Sequence, residues 1–376
     1  EALVTAAAKG QLFPELWAKL HAVAARDDKA AELAFAYEHV AQDRRIKLVP
    51  PEIQAAIFLN ASTYFAETFG DLDGGVSFAE RAMGAAPTSV DAQSMLESLL
   101  GRLGDRARLA KFFAELAGHE RDPELQLKHL RRARAELEGT EDSTDLVIEV
   151  SQKILRADPT DSAAREGLER AYLAAGKPRE ATKVLEQALL RDPPMPEEEA
   201  FFLHEHLVDL YTDATQEPHR AVPHLEAILA SRPDHERALS AAEALLENRA
   251  VAGRVAAALS DAYGKLGTTS RELELLNMEL KLARGPRRLE VQRRLGLLRR
   301  EQGDPTGAME LLGPVVAAEP GDDEVREAYV DLALSLEQPG AAARLLSRAL
   351  SSCKEPVARA RVGADIGTVY LRSGDV

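Results

Sequence analysis

An all-α array of antiparallel helical hairpins is the fold class that this 376-residue sequence predicts, on three observations. The first is an apolar cadence. Leu168, Tyr172, Gly176, Ala181, Leu185, Ala188 and Pro193 are echoed, in nearly the same spacing, by Leu295, Gly296, Gly303, Ala308, Leu312, Val315 and Pro320. A period of about 34 residues that reads helix, turn, helix, proline marks stacked hairpins, none of which can bury its apolar face alone. The second is the lack of any stretch in which four or more alternating β-branched residues stand between turn signals, so a sheet has no source. The third is composition: aromatic residues make up only 5% of the chain and alanine is abundant, which suits helices that approach closely and form readily. Such a stack grows in one direction, so length by itself sets no domain count.

Prolines measure the period, because proline cannot continue a helix and collects just past its end. Pro87, Pro159, Pro193, Pro233 and Pro320 each follow a stretch rich in alanine and leucine, at separations of 72, 34, 40 and 87. These correspond to two units, one unit, one unit with six extra residues at Pro193-Pro194-Met195-Pro196, and a gap that fits neither two units nor three. Helix-start chemistry follows the prolines. Thr88-Ser89, Thr160-Asp161-Ser162 and Gly321-Asp322-Asp323 offer side-chain oxygens to the free N–H groups of the next helix. The signals place helical pairs over 12–43, 51–86, 89–119, 122–157, 161–191, 197–231, 288–318 and 323–351. Three further helices are expected over 235–248, 251–266 and 270–284, one of them unpaired. The expected organisation is therefore repeats over 1–233, an irregular helical segment with a possible kink over 234–285, and repeats over 286–376.

Within the clearest unit, Leu168 and Tyr172 are four apart and share a helix face, and Ala181, Leu185 and Ala188 form the matching stripe on the second helix. Gly176 turns the chain, and Pro178 stands in the first turn of the next helix, where its missing N–H costs nothing. These residues, in this order, resemble the tetratricopeptide repeat family. The resemblance covers most of the chain and is closest in three units. It is looser near the start, where His21 stands in place of a glycine and Gly75 in place of an alanine. It implies a right-handed superhelical α-solenoid of about nine to ten hairpins, whose first helices line a concave surface that binds other proteins. The resemblance then implies that Glu166, Arg170 and Leu173 point to that surface, as do Arg293, Leu297 and Arg300 in the later unit and Ala364, Thr368 and Leu371 in the last. Lys and Asn pairs that grip a terminal carboxylate in some members are absent from these stripes. Glu166 with Arg170 also reads as a plain solvated ion pair, contributing a few tenths of a kcal/mol.

Net charge is −15, which argues against general nucleic-acid binding, since such binding rests on neutralising phosphates with a basic surface. Charge is uneven. Arg284, Arg287, Arg288, Arg293, Arg294, Arg299 and Arg300 stand against the single acid Glu290, a local balance of +6. This patch could meet an acidic segment, a phosphopeptide or an anionic surface through bidentate pairing, or it could pair with acids of the stack while the arginine stems cover apolar surface.

No Gly-rich phosphate loop, nucleophile elbow or His-Glu-x-x-His sequence occurs, so neither a catalytic residue nor a cofactor is expected. A metal site is not expected either. His204 and His206 point about 200° apart on a helix, while His219, His224 and His235 are read in loops and helix starts without a partner ligand. Asp71-Leu72-Asp73-Gly74 lacks the later ligands of a calcium loop and reads as a turn. The single cysteine, Cys353, fits a reducing compartment such as the cytoplasm, with the periplasm as the second location. No apolar run reaches the roughly 18 residues of a membrane span. Ile366, Gly367, Tyr370 and Gly374 repeat the first-helix pattern just before the last residue, which predicts a piece of a longer polypeptide ending in an incomplete repeat.

The function expected from these readings is a non-enzymatic scaffold that binds a peptide, helix or folded partner, within a bacterial polypeptide or assembly suggested by the Ala, Arg and Leu bias. The rivals are a regulatory or sensory arm of a larger enzyme or transcription regulator, and an envelope assembly factor for pili or polysaccharide export.

Overall fold

The protein is described here by a computed structural model that covers residues 14–140 and 143–373. Residues 12 and 13 of the first expected pair and Gly374 of the last pattern lie outside the described residues. Among the described residues there are twenty α-helices and no strand. Contacts group the chain into two compact units, Glu1–Pro193 and Pro194–Val376.

The first unit contains α1 (Pro14–Arg26), α2 (Ala30–Gln42), a 3₁₀ turn (Arg44–Leu48), α3 (Pro51–Thr63) running on as a π turn (Tyr64–Phe69), α4 (Leu72–Ala85), α5 (Val90–Leu103), α6 (Arg106–His119), α7 (Pro123–Leu137), α8 (Thr144–Ala157), α9 (Ser162–Ala174) and α10 (Pro178–Leu189). The second contains α11 (Glu197–Asp209) with a π turn (Leu210–Ala214), α12 (Pro218–Ser231), α13 (Glu236–Leu245), α14 (Ala252–Lys265), α15 (Thr269–Leu282), α16 (Gly285–Glu301), α17 (Pro305–Ala318), α18 (Asp323–Ser335), α19 (Pro339–Ser352) and α20 (Pro356–Ser373). The expected helical pairs are all present, with ends displaced by a few residues. Helix starts carry the anticipated caps: Ser89 accepts from the N–H of Ala92, Asp161 from Ala164 and Asp322 from Val325, at 3.3, 2.9 and 3.1 Å. Each satisfies one of the N–H groups that a first turn leaves open.

Helices pack on their sequence neighbours, so the core is handed along rather than gathered. In the first unit, one buried cluster runs from Trp17 to Ala92 and the next from Ala66 to Ala164. The turn between paired helices recurs with a left-handed residue at Gly176, Gly267, Gly303 and Glu337, at φ 69°, 71°, 77° and 56°. Glycine holds this conformation without a steric cost; Glu337 holds it despite one.

The irregular segment consists of α13, α14 and α15. Helix α13 is the unpaired one. It is only ten residues long and buries just Ala238 and Ala242 fully. Alanines so small leave α12 free to pack directly on α14 past it, while α14 and α15 close as an ordinary hairpin. Among the described residues this makes nine pairs, with α13 and α20 outside them.

Gly296 on α16 shows how tightly a pair closes. A methyl group there would meet the Cδ2 of Leu312 at 2.5 Å and its Cγ at 2.7 Å, and Leu312 is fully buried on α17. Gly296→Ala gains about 1 kcal/mol of helix propensity but overpacks a site that costs about 1–3 kcal/mol to enlarge. Denaturant unfolding should therefore show a net loss of stability, with faster amide exchange in α16 and α17. An unchanged or higher midpoint would mean that the two helices separate at little cost.

Candidate binding surfaces

On α9, Glu166 and Arg170 are exposed and Leu173 is half-buried, on one side of the helix. Arg170 turns its Nε to the backbone oxygen of Glu166 at 3.4 Å, so the expected pair meets through the main chain. On α16 the corresponding residues are more engaged. Arg293 donates to Asp322 at 2.7 Å and also reaches Glu324. Asp322 caps α18 at the same time, so this arginine ties α16 to the start of the next pair. Arg300 lies 3.5 Å from Asp331 of α18, and Leu297 packs against the buried cluster of α17 to α20.

The other arginines of the run are likewise turned toward the stack. Arg287 donates to Glu279 at 2.6 Å and lies 2.8 Å from Glu290. Arg288 donates to the backbone oxygen of Leu280 at 2.8 Å, and Arg299 to Asn277 at 3.0 Å. Arg294 donates to Glu272 at 2.7 Å and to the backbone oxygen of Ser260 at 2.8 Å, and pairs with Asp261. Arg284 is exposed at the start of α16 and has no acid within ion-pair distance among the described residues.

Sequence reading did not single out Glu272 and Glu279, which are 5% and 3% exposed. Glu272 follows the turn residue Gly267 by five, the place that alanine takes at 181, 308 and 342. A signal was available: acids seven apart on α15 face arginines seven apart on α16 across a short turn, so that Glu279 meets Arg287 and Glu272 meets Arg294. Gly264 makes this possible, because a methyl group there would lie 2.9 Å from the Glu272 carboxylate and closer still to Arg294.

Histidines behave differently from the sequence reading in one respect. His224 is not in a loop or at a helix start; it lies inside α12, where Pro223 fails to break the helix. There it stacks on Tyr211 and meets His204, Nδ1 to Nδ1, at 2.8 Å. Burial holds His204 below its ordinary pKa. Among the described residues no group of three or more side chains is arranged to hold a metal ion. No described helix is long and apolar enough to cross a membrane.

Burial raises the pKa of Glu279. Arg287 opposes the shift, and the charges of Asp261 and Glu290 add to it. One of its oxygens, Oε2, is buried without a hydrogen-bond partner among the described residues. A carboxyl raised on folding contributes stability in acid and loses it as pH rises through the folded value. Glu279→Gln keeps the shape and removes the ionisation, and Arg287 retains Glu290. The variant should match the wild type in acid and become the more stable of the two as pH approaches neutrality, in denaturant midpoints taken across that range. A difference that does not change with pH would show that this carboxyl folds with its ordinary affinity for a proton.

Residues 299–355 match the family model described as tetratricopeptide repeat. No curated protein matches the chain. Solved structures similar to it include the TPR domain of P58(IPK), 14% identical over 95% of this chain and 97% of that one, with a TM-score of 0.27. The Naa15/Naa10 complex bound to HypK-THB is 14% identical, over 96% of this chain and 73% of that one, with a TM-score of 0.27. YrrB, a TPR protein with an unusual peptide-binding site, is 16% identical over 56% of this chain and 99% of that one, with a TM-score of 0.28. At such scores these superpositions carry no functional inference. The tetratricopeptide repeat match thus lies over 299–355, and helix–turn–helix units of the same kind recur on either side of it.

Proposed function

We propose that this chain is a non-enzymatic interaction scaffold, which takes a peptide, helix or folded partner on the surface of its first helices, as part of a larger bacterial polypeptide or assembly. The observation that carries this reading is the division of labour within α9: Leu168 is buried in the pair, while Glu166 and Arg170 stand in solvent and Leu173 half in it. Side chains that do no packing are free to meet something else. In the second unit, a groove of about 390 Å³ between α11, α12 and α13 offers apolar footing in Val208 and Ile228, with Glu205 and Asp209 at its edge. An acidic partner at the arginine run would have to compete with Glu272, Glu279 and Asp322 for the same guanidinium groups, and Arg284 is the side chain there that needs no exchange. Cys353, buried and free, suits the reducing cytoplasm.

Replacing Glu166, Arg170 and Leu173 together by Lys, Glu and Ser tests the reading. Surface changes of this kind move stability by about 0.5 kcal/mol each or less, so helical content and melting should hold. Capture of partners from an extract of the source organism should fall by roughly tenfold or more, as expected when charges and an apolar anchor are lost from a contact surface. Equal recovery of the same partners by both proteins would remove these residues from the binding surface.

A further inference from the structure

Helix α15 keeps two kinds of side chain apart. Its buried side holds Leu275, Leu276 and the acids Glu272 and Glu279, while Glu274, Met278, Lys281 and Leu282 are exposed. Met278 and Leu282 are four apart and therefore share a face, at 37% and 48% exposed. Among the described residues no other two exposed large apolar side chains stand one helical turn apart. Leu282 lies over the start of α14, where a methyl group on Gly253 would come within 3.6 Å of its Cβ. Arg249, four residues before Gly253, brings a cation to the turn that enters α14, Lys281 is next to Leu282 in sequence, and Arg284 stands at the start of α16. All three are exposed.

The charges around this pair are open. In the second unit, the cations with neither an ion-pair nor a hydrogen-bond partner among the described residues are Arg249, Lys281, Arg284, Arg344, Arg348 and Lys354. The last three stand on α19 and just after it, where no large apolar side chain is exposed, so they offer charge alone. The first three flank Met278 and Leu282. Of the acids beside them in sequence, Glu279 is buried, Glu274 and Glu290 are held by Arg271 and Arg287 at 2.6 and 2.8 Å, and Glu247 is left without a partner, so three open cations stand against one open acid. An apolar patch rimmed by polar groups is the form that a contact surface takes. The geometry points to the end of α15, together with the starts of α14 and α16, as a docking site for an acidic amphipathic segment of a partner protein. Its apolar side chains rest on Met278 and Leu282, the methionine adapting to their shape, and its carboxylates meet Lys281, Arg284 and Arg249. Charge complementarity selects this occupant, since a basic segment is repelled by the three cations, and a nucleic acid would use the charges and leave the apolar pair in water. The site uses none of the α9 stripe, so it stands or falls separately from the surface proposed above.

The test uses the whole chain and a fluorescein-labelled helical peptide with leucine on one face and glutamate on the others, followed by fluorescence anisotropy. The peptide should bind, and bind more weakly as salt is raised. Affinity should fall roughly tenfold or more in Arg249→Glu/Arg284→Glu, since charged contacts govern both steering and retention, and in Met278→Gln/Leu282→Gln, which removes the apolar footing. Both arginines precede helix starts, where an added acid suits the helix dipole. All four residues are exposed, and circular dichroism should show an unaltered fold. Arg344→Glu/Arg348→Glu makes the same change of charge on another face of the unit and should bind like the wild type, as should Glu166→Lys/Arg170→Glu/Leu173→Ser. Absence of binding, wild-type affinity in either of the first two variants, or an equal loss in Arg344→Glu/Arg348→Glu would overturn the site. So would equal binding of the matching lysine–leucine peptide, or of a short single-stranded DNA whose affinity Met278→Gln/Leu282→Gln leaves unchanged.

Discussion

The structure depends on one constraint: a helical pair here can bury its apolar faces only against the pairs beside it in sequence. Among the described residues of each unit the buried clusters follow the chain, so every seam must be sufficient for its own two neighbours. This explains why the buried clusters overlap along the chain, with residues 66–92 lying inside the span of two of them. Ala181, Ala308 and Ala342, at one place in the second helices, are each fully buried in such a seam.

Across these seams runs a second set of interactions, ionic and nearly periodic. Arg102 reaches Glu67, Arg132 reaches Glu97, Arg232 reaches Glu198, Arg254 reaches Glu226 and Arg271 reaches Glu243, each about one repeat away. Most of these side chains are substantially exposed, and exposed pairs are worth about 0–1 kcal/mol each. Burying one leucine gives about 1.5–3 kcal/mol. The apolar seams therefore carry the stability, and the ionic pairs add little to it.

The α15/α16 seam departs from that division. There, Glu272 takes the place of the usual alanine, and two acids are buried against two arginines. Desolvating the two acids offsets most of what such pairing gains over apolar packing. The pairs tie α15 to α16 next to the segment where α13 interrupts the alternation of pairs. The arginine run that looks like an exposed basic patch in the sequence is thus in large part a clasp between helices, with Arg284 left outward-facing.

Much of the architecture was legible in the residues alone. Proline, capping aspartate and turn glycine act within one or two turns of helix, so Pro159, Asp161 and Gly176 mark helix ends without knowledge of any neighbour. The sequence by itself determined the helical class and, to within a few residues, the bounds of the hairpins. Which helix is odd, where Arg287 and Arg294 find their acids, how His204 meets His224, and which cations remain without partners were decided only by the tertiary structure. These depend on which faces of two helices meet and at what offset, and an offset across a seam is set by the sum of side-chain sizes on both sides rather than by any short run of residues.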